Sequence, residues 1–540
     1  MTHPSAKPQP ALLCCVERYQ TAFAAVLSIA VVNYGVSLFD FALHIDDELA
    51  LYDSPPGLYL IARGRWGLYA LSHLLIPEVV SPIAPLLFSL VCLSLAAVLF
   101  SAAWDLRSST EVVAASALVV GFPALTAILV FKSVAVGIGL GFLLCALAIW
   151  VTDDLEPKGV GFLVATVLIA LAVSLYQAMV VVGVSALLLK AALPLLRSDA
   201  PDPDRRTLIT VSTHALVVAA GYALHGLLTR GLTSALGLRE DPYVAGVLGL
   251  SAIRETVDIR LQLGSTLSAR ILLGSADAFG VAMPLWPVLW AFTAALLLGS
   301  VALRRRRAIV LGFILVGAVL AANVVAALVV GASLRMALGF AIFAGGVGAV
   351  ALQLSEQRPM LRALSLCLIG LTAFQFAQTN NRLLGSAHLA YQNDRMLAQQ
   401  ITQEIARAEK RAGVKAGYLE VSGYWQPAPT KAIVRVETIG ASFFEWGGGE
   451  VSRIRNFLTL SGIPLLGIAP PAKRVAAIHA SLAMPEWPEE GSIALVDDVA
   501  VVKFGPLSAS QLRTIKQICS RLPEAMRTDE RAKVVCSLVS

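Results

Sequence analysis

Charge is what this sequence has least of for its length. Only 14% of its residues are Asp, Glu, Lys or Arg, against about 25% in a soluble globular protein. That shortage excludes a single water-soluble globule as the form of the whole chain. The balance is only slightly basic, at +6. The basic residues sit mostly in short connections between apolar runs, so no nucleic-acid partner is implied. The seven cysteines are scattered, and no spacing among them resembles a zinc site. His44 and His73 are single histidines without ligand-like spacing. The glycine run Gly447–Gly449 lacks the lysine of a phosphate-binding loop. No internal repeat, low-complexity segment or cleavable signal peptide is apparent. The first apolar run is too long for a signal sequence and lacks a small-residue cleavage site.

What is there is hydrophobic residue, 57% of the chain, gathered into runs of roughly twenty that can cross about 30 Å of hydrocarbon as helices. We expect a polytopic α-helical membrane protein, because an isolated span must satisfy its own backbone hydrogen bonds. Eleven spans are expected, near 19–39, 82–103, 111–130, 134–151, 159–174, 177–196, 207–230, 281–303, 308–330, 333–354 and 361–379. With the N-terminus inside, the cytoplasmic connections collect Lys7, Arg18, Arg107, Lys158, Arg197, Arg205, Arg206, Arg304 to Arg307, Arg358 and Arg362. The short outside connections hold only Lys132 and Arg335, as the positive-inside rule requires. One long helix over 159–196 would reverse that distribution. The C-terminal segment then lies outside, in the periplasm if the cell is a Gram-negative bacterium.

The domains expected are a transmembrane catalytic domain over 1–379 and a periplasmic α/β domain over 380–540. The second should hold a polar helix over 388–412, strands over 415–422 and 431–437, and a helix over 452–460. A hairpin around Asp497-Asp498 and a helix over 507–521 should follow. Cys92, Cys145 and Cys367 fall in spans, and Cys14 and Cys15 precede the first span in a reducing compartment. Cys519 and Cys536 can pair if their domain is periplasmic.

Candidate chemistry lies mainly in the first outside loop. Asp46 and Asp47 follow the first span, with Glu48 beside them. Adjacent carboxylates can divide labour, one taking a proton while the other orients the acceptor or holds a cation. The bland alternative is a solvated turn. After Ser54-Pro55-Pro56, an interfacial helix is expected over 57–76. It carries Arg63, Arg65 and Trp66, and an arginine can hold a phosphate with two parallel hydrogen bonds. Its alternative is snorkelling to headgroups. Lys132 and Arg335 are candidates for the same phosphate, being charges near hydrocarbon. Tyr176-Gln177 either binds sugar or closes a helix hairpin. In the C-terminal part, Tyr424, Trp425 and Phe443 to Glu450 are either a sugar platform or a domain core with a loop.

Asp46-Asp47 after span one, Gly64-Arg65-Trp66 on the next segment and Tyr176-Gln177 at mid-chain resemble the serotype-converting O-antigen glucosyltransferases of the Gtr type. The polar helix after the last span and the final hairpin resemble them too. The resemblance covers most of the chain and implies a GT-C class membrane glycosyltransferase with an outward-facing site. It implies a polyprenyl phosphate-linked sugar donor, undecaprenyl phosphate glucose being the expected case, and a lipid-linked or surface glycan acceptor such as that of lipopolysaccharide. It makes Asp46 or Asp47 the catalytic acid group and Arg65 a donor-phosphate ligand. The chain departs from the expected pattern at Glu48-Leu49-Ala50, where an aromatic and a basic residue are expected.

The function read here is inverting sugar transfer at the outer face of a bacterial inner membrane. Arg63, Arg65, Lys132 and Arg335 are assigned to the donor phosphate. Glu48, Trp66, Tyr176 and Gln177 are assigned to sugar or acceptor. No cofactor or metal is required by the sequence, and a divalent cation is compatible with it. Two other classes fit the composition. A transporter or flippase of lipid-linked sugars favours broken helices and charges at mid-membrane depth. A non-catalytic glycan-assembly subunit predicts a dispensable acidic dyad.

Overall fold

The structure is a computed structural model that describes residues 18–539 apart from 53–56, 76–82, 107, 155–157, 197–202, 240, 242–249, 304–311, 313–315, 324–332, 429 and 463–465. It divides into two compact units. One holds Met1–Phe41 and Ser54–Leu384, and the other holds Ala42–Asp53 and Gly385–Ser540. The short acid-bearing segment therefore belongs with the C-terminal unit, although it follows the first apolar helix in sequence.

The first unit is helical. Among the described residues, six helices are long and apolar enough to cross a membrane, or seven if one bent pair is a single span. The expected spans near 177–196, 281–303 and 333–354 carry shorter apolar helices, Met179–Ala192, Leu285–Gly299 and Gly339–Ser355. Most of the expected span at 308–330 lies outside the described residues, as do Arg304 to Arg307. The stretch 159–196 is two helices, Lys158–Leu175 and Met179–Ala192, turning at Tyr176 to Ala178. Helices Ala84–Ala103 and Lys132–Asp154 approach closely. A Cβ on Gly139 would sit 2.2 Å from the Ser89 carbonyl oxygen, and only glycine permits that contact.

The bent pair is Ser109–Gly121 followed by Pro123–Leu129, with a 42° bend. Pro123 has no N–H and cannot continue the helical ladder. The carbonyls freed there find other donors. Tyr34 Oη donates to Val120 O at 3.0 Å and Asn380 Nδ2 to Gly121 O at 2.7 Å. Asn380 also donates to Asn33 Oδ1 and accepts from Thr126 Oγ1, each at 2.7 Å. This buried polar knot ties three apolar helices at the bend. No local sequence pattern announces it.

The expected interfacial helix over 57–76 is interrupted. It is a short helix Tyr59–Ala62 and a longer one Trp66–Leu75, joined by a corner in which Gly64 has φ +75°. A left-handed residue ends a helix, so Arg63 and Arg65 lie on the corner and not on one helix. The second long loop carries the helix Leu250–Leu272.

In the second unit, strands β1 (Tyr418–Ser422), β2 (Gly467–Ile468), β3 (Ile493–Val496) and β4 (Val499–Lys503) form a sheet in the order β2-β1-β4-β3. β1 is parallel to β2 and β4, and β3 and β4 make the antiparallel hairpin. The strand expected over 431–437 is not formed. Among the described residues, only an isolated bridge pairs Val436 with Ile439, and no neighbouring strand pairs with the segment. The helix Pro471–Ala483 packs on β1 and β4. The core gathers Leu43 and Ile45 from the acid segment with Ile401, Leu419, Val421, Phe443, Phe444 and Phe457. Phe443 stacks on Phe457 at 4.4 Å. These aromatics are core, and not a sugar platform. A second cluster of Val475, Ile478, Ile515, Ile518 and Val535 lies beside a disulfide between Cys519 and Cys536.

The expected last span and the polar helix after it are one helix, Pro359–Ala412, of 54 residues. The division between the units falls within it.

Candidate active site

The acid turn is built by the second unit. Asp46 has φ +87°, a region that non-glycine residues seldom adopt and that costs of order 1–3 kcal/mol. Its N–H donates to Glu48 Oε2 at 2.6 Å. Asp47 then opens a short helix, Asp47–Tyr52. The turn packs on the helix Val451–Leu460, which carries Arg453. That guanidinium joins three carboxylates. Nη2 donates to Asp46 Oδ1 at 2.8 Å, Nη1 to Glu48 Oε1, and Nε to Glu450 Oε2 at 3.1 Å.

The three sequence-predicted acids are therefore differently placed. Asp47 and Glu48 have no exposed surface, whereas the Asp46 side chain is 42% exposed. Burial pushes the Glu48 carboxyl up to about 7, against the opposing pull of Arg453, and the neighbouring Asp46 adds to the rise. Glu48 was expected beside sugar or acceptor. Here both its oxygens are engaged with Arg453 and the Asp46 amide, so it supports the turn.

The arginine corner is built by the first unit. Arg65 Nε donates to Gln177 Oε1 at 3.1 Å, and its guanidinium lies over the Tyr176 ring at 5.0 Å. Gln177 Nε2 donates back to the Arg63 carbonyl. His225 Nε2 meets the Gly64 carbonyl at 2.7 Å, and its ring stacks with Trp66 at 6.4 Å. Arg63 turns elsewhere, to Asp241 Oδ2 at 2.7 Å and over the Tyr59 ring. Tyr176 Oη donates to Met336 Sδ at 3.2 Å. Its neighbour Arg335 lies over the Phe131 ring at 5.8 Å. Lys132 is nearly buried, at 3% exposed, with Nζ donating to the Ser37 carbonyl at 3.3 Å. A lysine snorkelling to headgroups would be more exposed.

Residues picked from the sequence as separate motifs thus form one cluster. Arg65, Trp66, Tyr176 and Gln177 meet at the corner, and Tyr176 links them to the turn bearing Arg335. Among the described residues, Trp66 Nε1 is buried without a hydrogen-bond partner, a situation that costs about 1–3 kcal/mol and that a bound oxygen would relieve. Among the described residues, no group of three or more His, Cys, Asp and Glu side chains is placed to hold a metal ion. Sequence reasoning missed Arg453, His225 and Asp241. Arg453 is 407 residues from Asp46, and nothing local marks it among the arginines of an amphipathic helix.

Apolar helices of spanning length, with an arginine corner held among them, define a helical membrane protein with a polar site at its spans. A family model for the glucosyl transferase GtrII matches residues 35–344. That is more than half of the chain, which belongs to this family of glycosyltransferases. The resemblance read from the acid dyad, the Gly64-Arg65-Trp66 corner and Tyr176-Gln177 agrees with that membership, and all three motifs fall inside the matched segment. Arg453 and the sheet fall outside it. Comparison with curated proteins and with solved structures gives no match.

Proposed function

We propose that this chain is a GT-C type glucosyltransferase of a bacterial inner membrane, with its N-terminus in the cytoplasm and its C-terminal unit in the periplasm. The donor is a polyprenyl phosphate-linked sugar, glucose by family, and the acceptor is a surface glycan such as O-antigen. The observation that carries the reading is the Arg65 corner, where a guanidinium is oriented by Gln177 and Tyr176 beside the unpartnered Trp66 indole N–H. A planar donor held in a fixed direction suits a phosphate.

Arg65 binds the donor phosphate, with Arg63, Lys132 and Arg335 contributing positive charge. Asp46 accepts the proton of an acceptor hydroxyl, because its side chain alone of the two aspartates is open. The hydroxyl oxygen bonds to the anomeric carbon as the bond from that carbon to the phosphate oxygen breaks. The configuration inverts, and polyprenyl phosphate leaves with the electron pair. Asp47, Glu48 and Arg453 hold the turn. The test uses full-length protein with polyprenyl phosphate glucose and acceptor glycan. Asp46→Asn is expected to lower transfer by about 10²- to 10⁴-fold. Asp47→Asn should cost stability more than rate. Normal transfer by Asp46→Asn at normal protein levels would remove the base assignment.

A further inference from the structure

The second unit contains a cavity of about 450 Å³, within the usual range for a small-molecule site. Its lining begins at Glu420, well beyond the segment that the family model matches. Gly447 and Gly449 bound it on one side, and they and the intervening Gly448 all have positive φ. Their carbonyls accept hydrogen bonds from Ser510 Oγ, Ser508 Oγ and Gln511 Nε2. A Cβ on Gly449 would lie 2.2 Å from the Gly423 carbonyl oxygen. The glycine run is thus a fixed wall, pinned to the start of the helix Ala509–Arg521.

The lining chemistry selects a ligand class. Ser452, Ser510 and Thr514 donate their hydroxyl protons to Glu450, the Gly447 carbonyl and the Ser510 carbonyl and so present acceptor oxygens. Gln517 adds an amide, and Ile468 and Leu507 present aliphatic surface. A sugar offers the matching combination, with hydroxyls that both donate and accept at its edge and C–H bonds on its faces. The lining carboxylates are already paired. Glu420 takes Arg474 bidentately, at 2.6 and 2.9 Å, and Glu450 takes Arg453. Arg474 is taken up by Glu420, and the exposed Arg513 also lines the cavity, so a polyol carrying at most one negative charge suits the site better than a multiply charged ligand.

We propose that this cavity binds a sugar residue of the acceptor glycan, a reading that takes the identity of the glycan from the transferase function above. Glu450 gives the site its consequence. Its carboxylate lines the cavity and also holds Arg453, whose other two nitrogens hold Glu48 and Asp46. A ligand contacting Glu450 acts on the same guanidinium that orients the proposed base.

The test is calorimetric titration of the full-length protein in detergent. The probe is short oligosaccharide released by mild acid from the lipopolysaccharide of the producing cell. Thr514→Trp fills the cavity without touching the acid turn or the arginine corner. It is expected to weaken oligosaccharide binding, and to raise the acceptor KM, by about tenfold or more, with kcat nearly unchanged. Should that variant fail to fold, the double variant Arg513→Ala/Gln517→Ala carries the test, since both side chains are exposed. Unchanged affinity in the folded variants would overturn the proposal, as would complete displacement of the probe by inorganic phosphate. The two readings fail separately. Asp46→Asn should lower transfer by about 10²- to 10⁴-fold and still bind oligosaccharide. Transfer retained by Asp46→Asn overturns the base assignment and leaves the cavity standing.

Discussion

Glu48 shows how differently one side chain reads from its sequence neighbours and from its burial. In sequence it is a third acid on a surface turn. In the fold it has no exposed surface, and its carboxyl is pushed up to about 7 by burial. An ordinary glutamate titrates near 4.3, so the folded state holds a proton that the unfolded chain releases. The stability this confers is complete below the unfolded value. It is lost as pH rises through the interval up to about 7 and changes no further above that. Thermal unfolding of Glu48→Gln should lack that slope. Equal pH dependence of variant and parent would show that Glu48 titrates normally. Arg453 was illegible because no local pattern distinguishes it from Arg455. Arg65 was legible as a type and place, but its partners required the fold.

At the scale of elements, the departures from expectation have identifiable causes. The interfacial helix breaks because Gly64 takes a left-handed conformation. The strand expected over 431–437 fails for want of a neighbour to pair with. The pair at 158–192 separates at Tyr176-Gln177-Ala178, and that turn supplies two ligands of the arginine corner. The bend at Pro123 leaves carbonyls that Tyr34 and Asn380 satisfy. Asn380→Leu would strand Thr126, Asn33 and the Gly121 carbonyl in an apolar setting. We expect it to destabilise the first unit by about 2 kcal/mol, read as a lower melting temperature in detergent. An unchanged melting temperature would mean that the knot contributes nothing.

At the scale of the whole molecule, the proposed orientation and compartment follow from charge and from the disulfide. The proposed outside location of the C-terminus rests on the basic residues of the short connections and on the Cys519–Cys536 bond, since disulfides persist in oxidising compartments. An alkaline phosphatase fused after Ser540 should be active in cells, and a cytoplasm-dependent reporter at the same place should be silent. The reverse result would invert the proposed topology. The disulfide closes a loop of 17 residues, for which chain entropy gives about 3 kcal/mol. Cys519→Ser should lower the stability of the second unit by about that amount in chemical denaturation. An unchanged midpoint would assign the pairing no stabilising role.

The sequence by itself determined the class. Apolar runs of membrane length, the scarcity of charge between them and three short motifs depend on local composition, which a linear reading can follow. It also located the acid turn, the Gly64-Arg65-Trp66 and Tyr176-Gln177 motifs and the hairpin, because each is a contiguous run. Only the tertiary structure decided which charges meet. Arg453 reaches Asp46 and Glu48 across most of the chain, and Asn380 reaches the bend at Gly121. Such pairings depend on packing among elements far apart in sequence. The acid turn follows an apolar span in the chain, yet it packs with the C-terminal unit because Leu43 and Ile45 find their core there.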